Sequence, residues 1–162
     1  MSEAPRGMSM IVTKGTLDWA YPPFVLATTA AAMGYSVSMF FTFYGLPLLL
    51  RKLDLQVSPL GNPAMKLPVA GTHLGMPNLL AMLPFADAGA TAMMQAMMRK
   101  QGVASIEELR EAAVESGVRL IGCQMTMDLF GYGVGDMIEG VEVGGAATYI
   151  EAAGESRINL FI

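Results

Sequence analysis

The sequence predicts an α/β domain built on a parallel sheet with helices over both of its faces. Two observations carry this reading. Short apolar stretches rich in β-branched and aromatic residues ("MSMIV", "YSVSMFF", "VRLIGC", "VEV", "INLF") recur along the chain, the composition that strands favour. Helix-forming segments lie between them, and strands alternating with helices assemble as a parallel sheet.

"MSMIVTK" forms the first strand and runs into "GTLD", where Thr16 or Asp18 can cap the helix that follows. Residues 19–50 contain no charge at all, a span longer than the roughly 20 apolar residues that a membrane-crossing helix needs. Three breaks interrupt it: "YPP" at 21–23, "MGYS" at 33–36 and "FYGLP" at 43–47. It therefore reads as helix, turn and buried strand, and membrane association is the disfavoured reading. A strand covered on both faces is apolar almost throughout, which reproduces the hydropathy of a membrane span.

Residues 56–85 hold five prolines and read as a long loop within a single domain spanning 1–162. Loops of that length are usually functional. The helix after it carries Met93, Met94, Met97 and Met98, a cluster that serves either core packing or an adaptable contact surface, including one between copies of the chain. "SIEELREAAVESG" is an amphipathic helix: Ser105 and Glu108 form a capping box, Ile106, Leu109, Ala113 and Val114 make its apolar stripe, and Gly117 ends it. "VRLIGC" is then a strand ending at Cys123, "VEVGGAATYIEAAGES" a short strand and helix, and "RINLFI" a final buried strand.

Composition excludes several function classes. A formal net charge of −4 and a pI near 4.9 lack the basic field that nucleic acid binding requires. No secretion signal is visible at the amino-terminal end. One cysteine and one histidine supply neither a disulfide framework nor the ligand set of a zinc site, and a lone thiol suits the reducing cytoplasm. "GYGVGD" lacks the third glycine of a dinucleotide-binding loop and follows a predicted helix.

Cys123 is the candidate for chemistry. At the carboxyl end of a parallel strand it lies where open α/β sheets place their ligand crevices. If "QMTMDLFG" begins a helix there, free N–H groups favour the thiolate, the nucleophilic form. The alternative is a small apolar residue that only fills the core. Thr13 and Lys14, at the end of the first strand, face the same edge and are possible neighbours. His73, in the long loop, is a possible base or donor, with a solvated surface position as the alternative.

The series "KGTLDWAYPPFVLATTAAAMGYSV", "FFTFYGLPLLL", "GMPNLL", "ELREAAVESGVRLIGCQMTMDLFG", "GVEVGGAATYIEAAGES" and "NLFI" resembles the DsrE/DsrF/DsrH-like family, in its stand-alone DsrE-type branch, from about Met10 to Ile162. The resemblance implies a three-layer, flavodoxin-like α/β/α domain with a five-stranded, mainly parallel sheet, assembled as a homo-oligomer. It also implies sulfur trafficking in the cytoplasm, with Cys123 as the catalytic position. That cysteine would carry sulfane sulfur as a persulfide and exchange it with rhodanese-like or small sulfur-carrier proteins, needing no metal or organic cofactor. Some relatives carry a second cysteine; this chain has one, so a relay within one subunit is excluded. The alternative function is a non-catalytic oligomeric binding or scaffold subunit, with a structural cysteine and the Met-rich helix as its contact surface.

Overall fold

The computed structural model describes residues 6–58, 66–69, 72–75 and 84–162, with only the backbone for 66–69 and 72–75. Its strands are β1 (Gly7–Val12), β2 (Ser36–Phe41), β3 (Lys66–Val69), β4 (Thr72–Gly75), β5 (Arg119–Cys123), β6 (Val141–Gly144) and β7 (Ile158–Phe161). Its helices are α1 (Leu17–Ala32), α2 (Ala86–Lys100), α3 (Ile106–Glu115), α4 (Gln124–Phe130) and α5 (Ala146–Gly154), with a 3₁₀ segment over Phe43–Leu49. The chain divides into two compact units: Met1–Gly15, Trp19–Asp54 and Ser105–Ile162 form the first, and Thr16–Asp18 with Leu55–Ala104 the second.

The first unit holds a five-stranded, all-parallel sheet in the order β6-β5-β2-β1-β7. Three successive connections step one way across it, and the last returns to the far side of β1. Right-handed crossovers then put α5 on the face opposite α1. Two neighbouring residues of β2 show the result. Phe41 packs on Phe24 of α1 with ring centroids 5.9 Å apart, and Phe40 packs on Tyr149 of α5 at 5.6 Å. Successive strand residues point to opposite faces, so the sheet is the middle of three layers, as the sequence predicts. Met10, Val12, Met39, Phe41, Leu46, Leu49 and Leu120 are fully buried in the core.

Local sequence explains several element ends. Glu108 N–H donates to Ser105 Oγ at 3.2 Å, and Ser105 N–H to Glu108 Oε2 at 2.7 Å, completing the capping box expected for α3. Gly117 follows that helix at φ +74°, a left-handed conformation that glycine adopts without a Cβ clash. Helix α1 corrects one reading, because it runs unbroken through Pro22 and Pro23 where "YPP" was expected to interrupt it. Each proline removes one intrahelical N–H. The last strand corrects another: β7 lies at the sheet edge with Ile158, Asn159 and Phe161 exposed, since an edge strand has a neighbour on one side only.

In the second unit, the stretch read as a long loop contains the antiparallel pair β3–β4, with Leu67 opposite Leu74 and Pro68 opposite His73; the remainder, at 59–65, 70–71 and 76–83, lies outside the described residues. Asp18 accepts the backbone N–H of Ser58 at 3.0 Å and its hydroxyl at 2.9 Å. Val57 N–H donates to buried Thr91 Oγ1 at 3.0 Å. Met93, Met94, Met97 and Met98 of α2 are all half-buried.

The loops after β1 and β2 meet backbone to backbone. A Cβ on Gly45 would lie 2.2 Å from the Val12 carbonyl oxygen, and one on Gly15 would lie 2.2 Å from that of Tyr44. Neither carbonyl can retreat as a flexible side chain would. Gly45→Ala is expected to cost about 1–3 kcal/mol of stability or more, read as a lowered urea midpoint with an unchanged m-value.

Candidate functional site

The sheet register builds the site. Val12 pairs with Phe41, Phe41 with Gly122, and Cys123 with Gly144. One residue further on, Thr13, Thr42 and Cys123 therefore form a row across the carboxyl edge, with Thr42 in the middle. Gly122 points to the α1 face, where a Cβ would meet Leu46 and Leu49 side chains at 3.4 and 3.7 Å. Cys123 consequently turns to the α5 face and clusters with Phe40, Ile121 and Tyr149. Its side chain is 5% exposed.

Cys123 is also the N-cap residue of α4. It has extended backbone angles and makes no side-chain cap bond. The following N–H groups nonetheless face it, as those of the first turn face any N-cap side chain. Burial pushes the thiol's pKa up. Hydrogen bonds from the Thr126 hydroxyl and N–H, the Thr42 hydroxyl and the Met125 N–H outweigh that penalty and bring it below the ordinary thiol value. Donors of this kind stabilise the charged sulfur more than the neutral thiol, so they favour the nucleophilic form.

The two threonines are themselves held. Thr126 is fully buried; its Oγ1 lies 3.1 Å from Thr42 Oγ1 and accepts the Phe43 N–H at 3.1 Å. Phe43 has φ 46°, a left-handed backbone that costs a non-glycine residue about 1–2 kcal/mol. Strain of this kind concentrates at functional sites. Around the cysteine edge several large apolar side chains are exposed, beside the exposed Gln124–Asp128 pair of α4. Tyr44 stacks on Phe130 at 6.0 Å, Phe130 meets Tyr132 edge-on at 6.4 Å, and Met125 and Leu129 are exposed one turn apart on α4.

The other expected site residues have other attachments. Thr13 Oγ1 donates to the Ile162 carbonyl at 3.0 Å. Lys14 Nζ sits 3.3 Å from the centroid of the Trp19 ring, a cation–π contact. Both directly follow β1, which lies two strands and roughly 10 Å from β5, and neither is among the groups acting on the Cys123 sulfur. His73 falls in β4, in the second unit, and its side chain lies outside the described residues. Among the described residues no three His, Cys, Asp or Glu side chains converge to hold a metal, and no helix is long and apolar enough to cross a membrane.

A model of the DsrE/DsrF/DrsH-like family matches residues 5–161. The chain belongs to that family. It is 55% identical over 157 residues to the sulfur carrier protein DsrE2 of Allochromatium vinosum, covering 97% of this chain and 98% of that one. It is 30% identical over 165 residues to the uncharacterized protein YrkE of Bacillus subtilis, covering 100% of both. Among solved structures, the ychN protein from E. coli matches with a TM-score of 0.55 at 12% identity, over 96% of this chain and 99% of that chain. At that identity the likeness concerns the fold, which it shares across its full length.

Thr42 and Thr126 were missed in the sequence, although one signal was present. A residue at the N-cap followed three positions later by a hydroxyl side chain has the spacing of a capping pair, and "CQMT" has it with sulfur in the capping place. Thr42 needed the β2–β5 register, which no local pattern supplies.

The lowered thiol pKa has a consequence for stability. A group that ionises more readily folded than unfolded contributes stability that is full above its unfolded value, about 8.5 for a thiol, and is lost as pH falls through the folded value. The stability advantage of the native chain over Cys123→Ala should therefore widen from about pH 6 to about pH 9. Urea titrations at several pH values check this, and a gap that stays constant or narrows contradicts it.

Proposed function

We propose that this protein is a cytoplasmic sulfur carrier that holds sulfane sulfur as a persulfide on Cys123. The observation that carries the reading is the place of the chain's one thiol: Cys123 ends β5 as the N-cap residue of α4, with buried Thr126 three residues on and its Oγ1 3.1 Å from Thr42 Oγ1, and these hydroxyls act to lower the thiol's pKa. The sulfur carrier relative, alike over almost the whole length, supports the same chemistry, and a lone free thiol suits a reducing compartment.

Loading is a thiol exchange. The Cys123 thiolate attacks the outer sulfur of a donor persulfide R–S–SH; a new S–S bond forms to Cys123, the donor's S–S bond breaks, and the donor leaves as R–S⁻. Discharge is the reverse with another thiolate, which takes the outer sulfur and leaves Cys123 ionised. No net oxidation occurs, and neither metal nor organic cofactor has a step to perform. The partners would be proteins that present a persulfide or a thiol, rhodanese-like or small sulfur carriers. The apolar rim of Tyr44, Met125, Leu129 and Phe130 supports protein contact at this edge. A homo-oligomer would have the exposed β7 edge, with Phe161 74% exposed, available for contact between subunits.

Incubation with a persulfide donor followed by intact-mass measurement tests the proposal. The native chain should gain about one sulfur mass, removable by a reducing thiol, and Cys123→Ser should gain nothing. A native chain that stays unmodified while its thiol resists alkylation until denatured would show that Cys123 only packs.

A further inference from the structure

The hydroxyl of Thr126 has a fixed polarity. A backbone N–H can only donate, so the 3.1 Å bond from Phe43 N–H occupies a lone pair of Thr126 Oγ1 and turns the Thr126 proton away from Phe43. Thr42 Oγ1 lies 3.1 Å away, and the Cys123 sulfur, on the N-cap residue three positions before Thr126, is the second acceptor the hydroxyl can serve. When that sulfur carries charge it is the stronger acceptor, and the Thr42 hydroxyl is then free to donate to it as well. The peptide N–H ahead of a left-handed Phe43 thus sets the direction of a short chain of donors that ends on Cys123. Thr126 is fully buried, so no water competes for its proton.

Resting on the function proposed above, we infer that Thr126, oriented by Phe43 and seconded by Thr42, is a positioning residue that holds Cys123 as a leaving group, so that the site is built to release sulfur. The chemistry of exchange gives the direction. A thiol stabilised as thiolate leaves faster, whereas as an attacker it gains thiolate fraction but loses intrinsic nucleophilicity. The donors consequently assist discharge fully and loading only in part. In discharge the attacking thiolate R–S⁻ bonds to the outer sulfur, the Cys123 S–S bond breaks, and its electron pair remains on Cys123 Sγ, where the threonine hydroxyls meet it.

Cyanide isolates this step, because it removes the outer sulfur as thiocyanate and returns the Cys123 thiolate. Native, Thr126→Val, Thr126→Ser and Thr42→Val chains would be loaded with inorganic polysulfide, desalted, counted by mass and treated with cyanide. Thiocyanate release from Thr126→Val should be about five- to ten-fold slower per loaded cysteine, with Thr126→Ser restoring most of the rate. In parallel, the iodoacetamide rate of the unloaded Thr126→Val thiol should fall at neutral pH, reach its midpoint at higher pH than native, and match or exceed native once both are ionised. A merely structural role would not give that crossing.

Equal cyanolysis by loaded native and Thr126→Val chains overturns this inference and leaves the carrier function standing. A native chain that takes no sulfur overturns the carrier function, and the alkylation profiles then decide whether Thr126 acts on the thiol. Valine removes the acceptor of the Phe43 N–H; if it prevents folding, Thr42→Val, which spares that bond, decides the matter. It should discharge about two- to three-fold more slowly, and an unchanged rate counts against the inference.

Discussion

The alignment of β2 with β5 is the constraint on which the site depends. Phe41 lies opposite Gly122, so Thr42 leaves its strand beside the point where Cys123 ends its own. Side chains alternate strictly along a strand, and a slip of one residue would send each to the other face. Cys123 would then point at Leu46 and Leu49, and Thr42 would have no sulfur to meet.

A second constraint comes from the loops. Gly15 and Gly45 let the ends of β1 and β2 approach with backbone touching backbone, and the chain leaves β2 through the left-handed Phe43. That turn presents the Phe43 N–H to Thr126 instead of to a carbonyl of its own segment. Packing in the loops and hydrogen bonding at the sulfur are therefore one structure.

Much of this was legible in the sequence. Strand composition placed all five strands of the sheet, the Ser105–Glu108 pair marked the start of α3, and the position of Cys123 at a strand end followed from "VRLIGC". What escaped depended on neighbours far along the chain. Thr13 and Lys14 were rightly put at the carboxyl edge, but local patterns do not say that β2 stands between β1 and β5, so their separation from the sulfur was hidden. The exposure of β7 was hidden for the same reason, since an apolar strand looks alike at the centre of a sheet and at its edge. The prolines of α1 misled in the opposite way: their local cost was overridden by burial of Ala20, Phe24 and Ala27 on one helical face.

Burial and hydrogen bonding at Cys123 are coupled. The low-dielectric surroundings that penalise the thiolate also strengthen each bond it accepts. In water the same donors would do little, because solvent would replace any one of them. In the core a missing donor is not replaced, and the burial penalty remains in full. The sign of the balance at Cys123 thus depends on the set being complete, which explains why a residue 5% exposed need not be inert filler. The same burial keeps bulk solvent from the sulfur, so on the function proposed above a partner thiol would have to reach into this edge of the sheet. With a single cysteine in the chain, the proposed carrier would have no second thiol of its own subunit to receive the sulfur, and discharge would depend on that approach.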